Sequence, residues 1–77
     1  MPHIAVKMVE GRSEEQKQRL AEALKKTLME SLGAGEQWVT VTVEDYSVKE
    51  WQDVFAKEIK DHPGLRIKPQ YDPKILL

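Results

Sequence analysis

At 77 residues the chain is one small domain, and a domain of this size buries only ~60% of the surface its unfolded form exposes, so its core needs a staple. Cysteine is absent, which excludes disulfides and thiolate metal sites, and His3 and His62 stand far apart, which leaves self-association as the staple. The net charge of −1 comes from well-mixed acids and bases with no basic block, no apolar run approaches the ~20 residues of a membrane helix, and no secretory signal opens the chain. The expectation is a cytoplasmic protein without nucleic-acid or membrane partners.

The chain begins MPHIAVKMV, and Pro2 is the first residue to explain. Proline has no N–H to give a ladder, so it is tolerated at the head of a strand. If Met1 is trimmed, however, Pro2 becomes a free secondary amine and therefore a base. From His3 to Val9 the residues alternate, with Ile4, Val6 and Met8 on one face and His3, Ala5 and Lys7 on the other, which predicts a half-buried strand.

Gly11 breaks the strand and Arg12 follows. Ser13 and Gln16 form a capping-box pattern, behind which Leu20, Ala21, Leu24, Leu28 and Leu32 recur at helical spacing. Glu15 with Arg19 and Glu22 with Lys26 are expected ion pairs on the outer face. Gly33 is placed to cap the C-terminus. The stretch WVTVTVE, residues 38–44, alternates again, with Val39, Val41 and Val43 opposite Trp38, Thr40 and Thr42. Strand, helix, strand is a βαβ unit. Such crossovers are right-handed in ~98% of cases, which leaves the strands parallel.

SVKE, residues 47–50, repeats the capping box and starts a shorter helix with an apolar stripe of Trp51, Val54, Phe55 and Ile59, closed by HPG at 62–64. A short strand is expected at Leu65–Lys68, with Pro69 and Pro73 preventing a longer one. Ile75, Leu76 and Leu77 are expected to dock, on a neighbouring subunit for example. The predicted fold is α/β (α+β), a single domain over residues 1–77. Two copies would join edge to edge in a four-stranded sheet covered by two long helices, which doubles the core.

Three residues carry candidate chemistry. A free Pro2 amine has a reference pKa somewhat above the 7.7–8.0 of an ordinary α-amino group. An apolar pocket and nearby cations would lower it toward the operating pH, where a base moves protons on and off carbon efficiently. Arg12 precedes a helix N-terminus, where a cation is mildly unfavourable and a bound carboxylate would relieve the cost; its other reading is a loop arginine answered by Glu14 and Glu15. Pro2 and Arg12 lie at opposite ends of the first strand, so they can share a substrate only across two copies. Trp51 reads first as core, with an apolar wall beside Pro2 as its second role, open to Trp38 as well. His3 reads as a strand-face residue, and nothing singles out Tyr46 or Tyr71 as an oxyanion donor. No phosphate loop, nucleophile–His–acid set or metal-ligand spacing is present, so no cofactor is expected.

Taken together, PHIAVKMVEGRSEEQKQRL and the register through the second strand resemble the 4-oxalocrotonate tautomerase family over about the first 50 residues. From Trp51 onward, WQDVFAKEIK and IKPQY are more similar to the dimeric, phenylpyruvate-tautomerase-like subgroup. The resemblance implies that Pro2, after loss of Met1, is the catalytic base, that Arg12 binds the substrate carboxylate, and that Trp51 supplies the apolar wall. It also implies a departure, because the family's second arginine aligns with Thr40. Lys7, Arg66 or Lys68 could replace it. One arginine and an aromatic wall suit a monocarboxylate such as an arylpyruvate enol. The expected protein is a cofactor-independent keto–enol tautomerase acting on small 2-oxo acids as a homo-oligomer, a dimer rather than a hexamer. Its alternatives are a hydratase or dehalogenase using protonated Pro2, and a non-catalytic dimeric interaction module.

Overall fold

A computed structural model describes residues 1–77, and the chain divides into two compact units, Met1–Asp45 and Tyr46–Leu77. In the first unit, strand β1 (His3–Val9) leads into helix α1 (Glu14–Leu32), a 3-10 turn (Glu36–Trp38) and strand β2 (Thr40–Tyr46). The two strands pair directly. His3 meets Thr40 and Lys7 meets Glu44, a constant offset of 37 residues, so the strands run parallel. This is the predicted βαβ unit.

The ends of α1 follow from local chemistry. Ser13 Oγ accepts from the Gln16 N–H at 3.1 Å, and Gln16 Oε1 accepts from the Ser13 N–H at 2.9 Å, which satisfies two donors that the first turn leaves orphaned. At the other end Gly33 adopts φ 69° and donates its N–H to the Met29 carbonyl, a left-handed cap that costs a residue with a Cβ more than it costs glycine. Gly11, at φ 135°, turns the chain out of β1. Ala21 lies beside Val41 and Val43, so the helix covers the valine face of β2. The cover is partial. No residue of α1 is buried, Leu32 is 68% exposed, and Val39 alone in this unit is buried.

Two details of this unit depart from the sequence reading. Trp38 belongs to the 3-10 turn, and β2 starts at Thr40. The Trp38 N–H donates to the Gly35 carbonyl and the Val39 N–H to the Glu36 carbonyl, so these donors are consumed within the turn before a ladder can use them. The Glu15–Arg19 pair forms, but Glu22 accepts from Gln18 one turn earlier and leaves Lys26 without it.

In the second unit, Ser47 and Glu50 complete a second capping box, with Ser47 Oγ accepting from the Glu50 N–H at 3.0 Å, and helix α2 (Val48–Val54) follows. It continues as a π-turn over Phe55–Ile59, marked by the Lys60 N–H donating to the Phe55 carbonyl at 2.8 Å. His62 then ends the helix, as its Nδ1 accepts from the Gly64 N–H at 2.8 Å. Trp51, Val54 and Phe55 are buried, as the predicted stripe requires. The expected strand at Leu65–Lys68 does not form. This unit offers no neighbouring strand to receive its backbone groups. The tail instead makes a 3-10 turn at Pro73–Leu76, N-capped by Asp72, whose Oδ1 accepts from the Lys74 N–H. Ile75 and Leu77 are 77% and 73% exposed.

Candidate active site

Pro2 sits half-buried at the head of β1, and its carbonyl accepts from the Thr40 N–H at 3.3 Å. That bond holds the strand start against β2, while Met1 ahead of it projects fully into solvent at 94% exposure. The next residue, His3, is clamped on the sheet face away from α1. Its Nδ1 lies 2.7 Å from Thr40 Oγ1 and its Nε2 3.3 Å from Thr42 Oγ1. Sequence reasoning missed this cluster, although sliding the two alternating strands into parallel register would have set His3 opposite Thr40 and Thr42. Thr40 therefore brings a hydroxyl engaged with an imidazole where the resemblance calls for a second arginine.

The cations proposed to replace that arginine are placed as follows. Lys7 is 2.7 Å from Glu44, four residues further along β1 than His3, or ~13 Å at strand rise. Its charge is answered and remote from Pro2. Arg66 and Lys68 are exposed in the irregular stretch of the second unit.

Arg12 follows Gly11 and precedes the Ser13 cap. Both carboxylates of the first helical turn are committed elsewhere. Glu14 pairs with Lys17 at 2.7 Å, and Glu15 with Arg19. Lys17 also reaches Asp45 at the end of β2 at 2.6 Å, and its side chain is only 13% exposed. The Asp45 hydrogen bond, then Glu14, raises the Lys17 pKa above the ordinary lysine value. Lys17 thus ties the start of α1 to β2 and withdraws Glu14 from Arg12, which stays exposed with no ion-pair partner. The whole of β1 separates Pro2 from Arg12, ~23 Å over seven residues. One chain does not bring the two together.

Trp51 is 7% exposed in the second unit. Its Nε1 donates to Tyr71 Oη at 3.0 Å, its ring lies 6.2 Å from Tyr46, and Tyr71 meets the Phe55 ring edge-on at 5.5 Å. The indole is thus a core anchor within an aromatic cluster, its one donor satisfied. Trp38 is half-exposed on its turn.

The βαβ fold fits one class of protein. The family described as "Tautomerase enzyme" matches residues 2–52, a span that holds Pro2, Arg12 and Trp51. The chain belongs to the tautomerase family and is an enzyme of the keto–enol isomerase class. It is 46% identical over 61 residues to a probable tautomerase of Xylella fastidiosa, covering 78% of this chain and 74% of that protein. It is 38% identical over 61 residues to the 2-hydroxymuconate tautomerase of Bacillus subtilis, covering 79% and 97%. Among solved structures it resembles the heterohexameric 4-oxalocrotonate tautomerase of Chloroflexus aurantiacus, with a TM-score of 0.63 and 29% identity over 66% of this chain and 82% of that one. No helix is long and apolar enough to cross a membrane.

Proposed function

We propose that, once Met1 is removed, Pro2 is the general base that converts the enol of a 2-oxo acid with an apolar or aryl tail into its keto form. The neutral amine takes the proton from the C2 hydroxyl, the C2–O bond becomes a carbonyl, and the C2=C3 electron pair takes that proton back at C3. Proton and electrons balance without an added reactant. Arg12, contributed by a second copy, would hold the C1 carboxylate as a bidentate pair beside the α1 N-terminus, and Trp51 would wall the apolar tail.

The observation that carries this reading is the charge inventory. Arg12 is free of its neighbouring carboxylates, whereas Lys7 is paired and Thr40 is neutral. Of Arg12, Lys7 and Thr40, only Arg12 offers an unanswered charge, which suits one carboxylate and favours an arylpyruvate over a dicarboxylate. The same reading makes the protein a homo-oligomer, and the partial cover of α1 leaves apolar surface for a second copy, in a dimer formed edge to edge.

The test is ketonisation of phenylenolpyruvate followed by ultraviolet absorbance, with intact mass confirming loss of Met1. A rate well above background that collapses in Pro2→Ala supports the assignment. An unchanged rate in Pro2→Ala refutes Pro2 as the base. A background rate together with hydration of an acetylenic acid would transfer Pro2 to acid chemistry.

A further inference from the structure

The second unit contains a cleft of about 450 Å³ that the tautomerase reading does not use. This volume lies within the range of small-molecule sites, ~300–1,000 Å³. Helix α2 and its π-turn form one wall and the tail 71–74 forms the other. Gln52 fastens them, since its Nε2 donates to the Pro73 carbonyl at 2.8 Å. Phe55 and Tyr71, packed edge to face, supply apolar lining. The Tyr71 oxygen already accepts from Trp51, so the phenol is held in place while its own hydrogen has no protein acceptor.

The rim is charged asymmetrically. Lys60 and Lys74 both border the cleft, both are exposed, and neither has a carboxylate partner. The one acid there, Asp72, is engaged by the Lys74 backbone N–H. The π-turn matters to this layout, because one additional residue in the turn shifts the azimuth of everything after Phe55, Lys60 included. Such turns occur frequently at functional sites.

We infer that this cleft binds a small aryl carboxylate, its ring against Phe55 and Tyr71 and its carboxylate between Lys60 and Lys74. Two unpaired ammonium groups and a phenol donor complement an anion, and the aromatic lining complements a ring. The inference stands apart from the assignment of Pro2, because no residue of the first unit lines the cleft.

The experiment is a titration of ¹⁵N-labelled protein with phenylacetate, read by amide shifts. The expected result is saturable movement at Phe55, Ala56, Tyr71 and Lys74, with the same dissociation constant in Pro2→Ala. The Lys60→Gln/Lys74→Gln variant should bind about tenfold more weakly, the order set by two partly screened charge pairs. Both substitutions are at exposed positions, and an otherwise unchanged spectrum will show that the fold is kept. Equal affinity in the double variant, loss of binding in Pro2→Ala, or shifts confined to residues 2–12 would overturn the inference.

Discussion

If Pro2 and Arg12 act on one substrate, two defective chains should repair one another. Seven strand residues hold the two groups ~23 Å apart in a single chain, far beyond the reach of a side chain across a small acid. A working site therefore takes Pro2 from one copy and Arg12 from its partner. In a two-fold dimer each chain gives and receives once, so two equivalent sites form. Pro2→Ala alone and Arg12→Ala alone should each be nearly inactive. When they are mixed in equal amounts and refolded together, about half of the dimers are mixed, and each of these carries one intact site and one doubly defective site. The mixture should thus recover about a quarter of wild-type activity. The assay is phenylenolpyruvate ketonisation, with native mass spectrometry to count mixed assemblies. Activity no greater than the sum of the parents, once mixed assemblies are seen, would refute the composite site.

Three further predictions concern the scaffold. Ser13→Ala removes one half of the α1 capping box and should lower stability by about 1 kcal/mol, seen as a reduced urea midpoint with an unchanged slope. Phe55→Ala empties a position that is 6% exposed against the Tyr71 ring and should cost about 3 kcal/mol; a loss below 1 kcal/mol in urea denaturation would contradict its core role. The Glu50 pKa is lowered from the ordinary 4.5 by hydrogen bonds from Ser47, the backbone one first. Its stabilising contribution is therefore present above pH 4.5 and fades as pH falls through the lowered folded value. Glu50→Gln keeps an acceptor for the Ser47 N–H and should flatten that acid limb in urea titrations run at successive pH values.

Much of the first unit was legible along the chain. Period-two alternation in HIAVKMV, the Ser13–Gln16 box, the leucine spacing and the Gly33 cap are local signals, and their partners lie within four residues. The second capping box was equally local, and with it the start of α2. Pro2 and Arg12 stood out because their chemistry is unusual for their positions in the sequence. The departures have a common origin in competition between partners. Trp38 left the strand because its N–H found Gly35, Lys26 lost Glu22 to Gln18, and Leu65–Lys68 had no strand to join.

The sequence by itself thus determined where helices begin, which faces are apolar and which residue could become a terminal amine. Backbone capping and side-chain periodicity act within a turn or two, so they are written locally. Tertiary structure alone decided that His3 is held between two threonines, that Lys7 is spent on Glu44, and that Lys17, already the helical neighbour of Glu14, is fixed to Asp45. The distant partners in those outcomes lie 28 to 39 residues away, brought near only when β1 and β2 pair with α1 across them. A charge becomes available for a substrate when folding has assigned its competitors elsewhere.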